Sequence, residues 1–206
     1  MSIPPPPAAE QLSDFPVHQI SAGAVGHSGL CRIVRRYDEG GQARQALFFS
    51  TLGLGRFDPP DGAAATYGSC YFAREPIAAY IERFGSFPVM LQDVIEAHHL
   101  VDLSPLRTVR LADVCNPVVL GQFGLTREIC AVTDYDLPQR WAAALHEAGF
   151  DGIWYGPRHD PQGDLRAAAL FGPPGGREPD QVGLRIVSRR PIPHAVIVRA
   201  AQDFGL

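Results

Sequence analysis

The apolar residues of this chain come in short runs set well apart, which limits the folds open to it. "ALFFS" (Ala46–Ser50), "SCYFA" (Ser69–Ala73), "DGIWY" (Asp151–Tyr155), "LRAAALF" (Leu165–Phe171) and "LRIV" (Leu184–Val187) have strand length. Leu30 to Val34 alternates apolar and polar residues, as a half-buried strand does. "VDL" and "TVRLAD" add strand pieces on either side of the turn "SPLR". Helical signals are fewer. One helix starts near Pro76, which suits a first turn, and ends near Gly85. The clearest is "DLPQRWAAALHEAGF", with Asp136 as the expected cap, Pro138 near its start and Gly149 closing it. "HAVIVRAAQDF" reads as a last helix. Most connections lack the regular strand–helix–strand spacing of parallel units. The expected fold is therefore α+β, a single mixed domain around a central, largely antiparallel sheet of short strands.

A chain of 206 residues suffices for one substantial core and is short for two domains. The proline-rich opening "IPPPPAAEQ" favours extended polyproline II, so residues 1–14 are expected to form an arm that adds little to the core of 15–206. A net charge of −4 offers no basic footprint for nucleic acid. No apolar run approaches the roughly 18 residues of a membrane span, and the N-terminus lacks a signal-peptide pattern. Cys31, Cys70, Cys115 and Cys130 show no CxxC spacing and fit reduced thiols in the cytoplasm.

Several motifs fail on their chemistry. "STLGLGRFDPPDG" (Ser50–Gly62) begins like a dinucleotide loop, but Asp58 stands where the fingerprint needs its third glycine. His98 and His99 are adjacent with no ligand partners at metal spacing, so no metal is expected. The terminal "DFG" has no catalytic loop before it, and no G-x-S-x-G elbow occurs.

The order of the remaining pieces resembles the RES-domain family, toxins of bacterial toxin–antitoxin pairs that consume NAD. That family carries a strand with an arginine, a glycine-rich loop ending in Arg-aromatic, a proline-containing loop, a strand of the type "YLA" and a helix with a glutamate. The counterparts here are "CRIVR", "GRFDPPDG", "CYFAREP" and "AAYIERFG". The family's tyrosine and glutamate stand eleven residues apart, as do Tyr71 and Glu82. "WAAALHEAGFDGIWYGPRHDPQGDLRAAALF" matches the later helix, "GFDGI", tyrosine and loop–strand pattern, so the likeness spans residues 30–171. One position departs: Pro157 stands where family members often place serine, which removes a hydroxyl and an amide proton.

The resemblance implies an ADP-ribosyltransferase-like fold and cleavage of the nicotinamide–ribose bond of NAD, with NAD as substrate. Breaking that bond develops oxocarbenium-like charge on the ribose. A carboxylate near the sugar can stabilise it, which would be the role of Glu82. Tyr71 would stack on nicotinamide, Arg56 and Arg32 would hold the pyrophosphate through planar donor forks, and Phe57 would pack beside the ring. Arg158 and His159 sit in the altered loop as weaker candidates. Read without the resemblance, Glu82 is a solvated helix residue, Tyr71 a core aromatic and Arg56 a surface loop charge. The implied partners are an antitoxin protein and, as acceptor, water, inorganic phosphate or a target protein. A catalytically inactive binding module on the same fold is the alternative, and Pro157 is the residue that supports it.

Overall fold

The computed structural model describes residues 3–37, 41, 47–87 and 90–206. In chain order the strands are β1 (Val17–Ile20), β2 (Leu30–Arg35), β3 (Leu47–Phe49), β4 (Gly68–Ala73), β5 (His98–Pro105), β6 (Val109–Asp113), β7 (Gly152–Tyr155), β8 (Ala167–Gly172), β9 (Gly175–Arg177) and β10 (Leu184–Pro191). The α-helices are α1 (Pro76–Phe84), α2 (Gln92–Glu96), α3 (Val118–Phe123), α4 (Asp136–Glu147) and α5 (His194–Phe204). Eight strands form one sheet in the order β1-β6-β7-β8-β4-β2-β5-β10, and β3 pairs with β9 in a small second sheet. Only β6 and β7 run parallel among these pairs, so the fold is the expected α+β type with a largely antiparallel sheet.

The sheet is nearly parted in its middle. β4 pairs with β8 along its whole length, and β2 likewise with β5, yet β2 and β4 share a single pair of partners, Cys31 and Ala73. Arg32 and Ile33 of β2 and Tyr71, Phe72 and Ala73 of β4 line the cleft described below. Helix α1 bridges the parting. Its buried face (Ile77, Ala78, Tyr80, Ile81, Phe84) joins Cys31, Ile33 and Leu100 in one core cluster, while Glu82 and Arg83 are left on the other face.

Helix α4 closes as its sequence suggests. Gly149 takes a positive φ of 83°, and the amides of Gly149 and Phe150 bond the carbonyls of His146 and Leu145, a Schellman arrangement. Asp151 then anchors the entry to β7, accepting from Arg107 at 2.6 Å and from the Arg110 amide at 2.8 Å. At the start of α4 the reading needs correction. Tyr135 is the N-cap, and Asp136 is already helical, its amide bonded to Asp134 Oδ1.

Other differences have simple causes. His98 and His99 open β5, which runs on through Ser104 and Pro105 into the expected turn. The "LRIV" strand continues to Pro191 past a bulge between Ile186 and Ser188. Ala46 of the expected strand, like Met1 and Ser2 of the arm, lies outside the described residues. The proline-rich segment contributes more than its composition suggests. Ile3 and Leu12 are buried with Phe15 against fully buried Trp141, whose Nε1 donates to the Pro4 carbonyl at 2.8 Å. Two apolar side chains and one indole donor are enough to seat it.

Candidate active site

Behind the parted strands lies a cleft of about 660 Å³, within the range of roughly 300–1,000 Å³ usual for small-molecule sites. β2 contributes Arg32, β4 contributes Tyr71 and Phe72, and α1 contributes Glu82 and Arg83. The glycine loop adds Leu54, Gly55 and Arg56. Tyr135, Tyr155, Arg158 and His159 complete the lining from the far side. A chain with net charge −4 thus gathers four arginines around one carboxylate, a local field suited to an anionic ligand.

The loop is built on Asp58. This carboxylate is 1% exposed and gathers donors from four positions. Ser50 Oγ reaches Oδ2 at 2.9 Å and the Gly55 amide reaches it at 3.0 Å. Ser69 Oγ and, at 3.1 Å, Tyr71 Oη donate to Oδ1. Gly55 is required by this packing, because a Cβ there would stand 2.4 Å from both Asp58 Oδ1 and Tyr71 Oη. From α4, Gln139 Nε2 ties the loop down through the carbonyls of Gly53 and Gly55 at 2.9 and 3.0 Å.

This network sets what the neighbouring side chains can do. Tyr71 Oη donates to Asp58 and accepts from the Phe57 amide at 2.8 Å, so the hydroxyl is occupied and the ring is what the cleft sees. Burial, then the Asp58 charge, push its pKa well above the usual tyrosine value, which keeps it protonated. Arg56 is 8% exposed. Its Nη1 donates to the Val132 carbonyl at 2.7 Å and the Ile129 carbonyl at 3.4 Å, and its guanidinium lies 5.0 Å from the Tyr135 ring centre. A fixed planar fork of this kind leaves its remaining donors oriented. Arg32 is held on the strand by Cys70 Sγ and the Phe72 ring, with a buried Nε that has no protein partner.

Phe57 requires a correction. It is fully buried and does not line the cleft; it packs edge-on against Tyr155 at 5.1 Å and so supports a lining ring from behind. Consecutive residues of the turn face opposite ways, and Arg56 takes the cleft side.

Glu82 faces the open cleft, and Tyr155 Oη donates to its Oε2 at 3.1 Å. Glu82 is exposed on the cleft side, yet protein atoms crowd around its carboxylate. Desolvation raises its pKa above the ordinary carboxylate value, against the opposing Tyr155 hydrogen bond and Arg56 charge. Tyr155 was not singled out in the sequence although it sits in the quoted "DGIWY". Its pKa is raised well above the usual tyrosine value by burial and then by Glu82, so it stays a donor.

The altered loop folds back on itself. Pro157 is buried and its carbonyl accepts the Asp160 amide at 3.2 Å, while Asp160 caps the Leu165 amide at 2.7 Å. This turn presents Arg158 and His159 to the cleft. Burial first, then Arg158 and Arg56, lower the His159 pKa and favour its neutral form. Among the described residues, no group of three or more His, Cys, Asp or Glu is placed to hold a metal ion, and no helix is long and apolar enough to cross a membrane.

The sequence matches the model of the RES domain over residues 30–193. A search of the curated proteins returns no match. Among solved structures, the fold is similar to a chain in the crystal structure of the M. tuberculosis MbcT–MbcA toxin–antitoxin complex. The TM-score is 0.60 over 95% of each chain, at 15% sequence identity. The family match covers most of the chain, including both sides of the cleft, and the chain belongs to the RES-domain family.

Proposed function

We propose that the cleft binds NAD and breaks its nicotinamide–ribose bond. The observation that carries this reading is the placement of Glu82, the one carboxylate among the lining residues, held by Tyr155 in a cleft that also gathers four arginines and several aromatic rings. A dinucleotide diphosphate needs cations, its base rings need aromatic faces, and an oxocarbenium-like ribose needs one negative group beside it. In this reading Arg56 and Arg32 hold the diphosphate and the Tyr71 ring faces nicotinamide. Glu82, ionised and oriented by Tyr155, stabilises the developing positive charge. The Tyr71 and Tyr155 hydroxyls orient and do not transfer protons, because both are held in their protonated forms.

Family membership supports an NAD-acting toxin kept in check by an antitoxin protein, and the similar fold of a chain from a toxin–antitoxin complex agrees with it. ADP-ribose would pass to water, inorganic phosphate or a protein side chain. In this reading His159, a lining residue whose imidazole favours its neutral form, takes a proton from such an acceptor. The second reading, an inactive binding module, rests on Pro157. Against it, the Pro157 turn still brings Arg158 and His159 to the cleft.

The test is release of free nicotinamide from NAD by the purified protein, with and without phosphate, beside a Glu82→Ala control. Release that requires Glu82 supports the enzyme, and stimulation by phosphate names the acceptor. No release in either condition, together with NAD binding, favours the binding module.

A further inference from the structure

Arg83 follows Glu82 on α1 and lines the same cleft. Its guanidinium is held by His98, a residue that opens β5, is 3% exposed and does not itself line the cleft. Arg83 Nε and Nη2 both donate to His98 Nε2, at 3.3 and 3.1 Å. The other ring nitrogen, Nδ1, lies 2.7 Å from the carbonyl of Val94 in α2. A carbonyl oxygen only accepts and a guanidinium only donates, so these partners fix the tautomer: the proton sits on Nδ1, and Nε2 is the acceptor. The Phe84 ring stands edge-on to the imidazole at 5.1 Å and completes its seat.

The arrangement sets the direction of the guanidinium. Nε and Nη2 form one edge of the planar group and meet the imidazole along it, so Nη1 is turned away from His98. Arg56 is held in a comparable way, by the carbonyls of Val132 and Ile129. In both cases an uncharged acceptor outside the cleft lining orients a cation within it. A carboxylate in place of either acceptor would hold the arginine and cancel its charge. The helix dipole by itself accounts for an arginine in the last turn of α1. It does not call for a buried imidazole that accepts from that arginine along one edge.

We propose that Arg83 is a further diphosphate-binding side chain of the cleft and that His98 is its positioning residue, the identity of the ligand resting on the NAD reading. Glu82 and Arg83 are consecutive on α1, so a dinucleotide with its reacting ribose at Glu82 carries the phosphate esterified to that ribose toward the neighbouring arginine. Arg32 from β2 and Arg56 from the glycine loop serve the same diphosphate. An arginine already oriented by its acceptor gives up less rotamer freedom when the ligand arrives, which is what positioning contributes to binding.

The experiment measures binding of ADP-ribose to the full chain and its variants by calorimetry. ADP-ribose keeps the diphosphate and lacks the scissile bond, so its binding does not depend on turnover. Arg83→Ala should weaken it roughly tenfold or more, as loss of a charge-assisted hydrogen bond does. Inorganic pyrophosphate should displace ADP-ribose from the wild type and do so less well from Arg83→Ala. His98→Asn keeps a donor for the Val94 carbonyl but falls short of Arg83, and should weaken ADP-ribose about threefold or more. His98→Gln places an amide oxygen near the Nε2 position and should recover most of that loss. In an Arg83→Ala background His98→Asn should cost nothing further, because a positioning residue acts only through the side chain it positions. With NAD as substrate the same variants should raise KM more than they lower kcat, since the contact is to a part that does not react.

Unchanged ADP-ribose binding in Arg83→Ala would overturn the contact, and pyrophosphate that displaces nothing, or displaces equally from both proteins, would overturn its assignment to the diphosphate. Equal losses from His98→Asn in both backgrounds would mark His98 as merely structural and overturn its positioning role. If His98→Asn does not fold, His98→Gln carries this arm, and a loss there that persists in the Arg83→Ala background overturns it likewise. A wild type that releases no nicotinamide but loses ADP-ribose on Arg83→Ala would strike the cleavage reading and leave the Arg83 contact standing. Intact release with ADP-ribose binding indifferent to Arg83 would do the reverse.

Discussion

Two carboxylates flank Tyr71 in this molecule, and their surroundings differ in a way that separates scaffold from chemistry. Asp58 lies behind the cleft at 1% exposure, with donors from Ser50, Gly55, Ser69 and Tyr71 filling both of its oxygens. Glu82 lies in front, in the cleft, with Tyr155 as its hydrogen-bond donor and a pKa raised by desolvation. A saturated buried carboxylate rigidifies what surrounds it. A carboxylate left with open acceptor capacity in a cleft keeps it for a ligand or a developing charge. The same functional group thus serves as an anchor on one side of Tyr71 and as a reactive group on the other.

The contrast is sharpest where removal of each group has opposite consequences. Asp58→Ala strands two hydroxyls, a phenol and an amide without their acceptor, each worth about 1–3 kcal/mol when buried and unsatisfied. Stability measured by urea denaturation should fall by about 3 kcal/mol or more. A loss below about 1 kcal/mol would show that the loop does not depend on this anchor. Arg56→Lys is next in size. Lysine cannot both hold the Val132 carbonyl and offer a second oriented donor, so kcat/KM for NAD should drop roughly 10- to 100-fold, in line with the loss of one charge-assisted hydrogen bond. An unchanged value would remove Arg56 from the substrate.

The smallest effect belongs to Tyr155→Phe. The Tyr155 hydrogen bond opposes the desolvation that raises Glu82, so its loss moves the Glu82 pKa further up. Activity that needs ionised Glu82 is lost as pH falls through that pKa. The acid limb of the kcat profile should therefore sit above the usual glutamate value in the wild type and move to still higher pH in Tyr155→Phe. A limb that stays in place would detach Tyr155 from Glu82.

The two carboxylates were not equally legible in the sequence. Glu82 could be found because its distance from Tyr71 follows from one strand and one adjoining helix, a local relation that spacing preserves. Asp58 appeared there only as the residue that spoiled a dinucleotide loop. Its donors come from both sides of it and from a neighbouring strand, and nothing in the order of residues announces that they meet. Tyr155 belongs to the family-like segment after "GFDGI", but its role could not be read, since β7 is buried along its whole length and its pattern does not mark one residue as facing a cleft. Phe57 was misread because a turn has no fixed periodicity from which to assign a side.

In the fold, the helices with punctuated ends were readable; Pro76 opens α1, and Gly149 ends α4 with the geometry its type permits. Strand β1 escaped notice because Ile20 is its one buried residue, and β9, "GGR", has no apolar side chain to signal with. The parting between β2 and β4 is a property of pairing, and neither strand's own sequence carries it.

The most direct test pairs activity with folding for Glu82→Gln, which keeps the shape and removes the charge. Burial disfavours the ionised form, so any stability that the wild type gains from protonated Glu82 is lost as pH rises through the raised pKa. The neutral glutamine avoids that loss. At neutral pH the account predicts a Tm equal to or slightly above that of the wild type, with nicotinamide release from NAD reduced by about 100-fold or more. Release near the wild-type rate, or a protein that unfolds several degrees earlier, would contradict it.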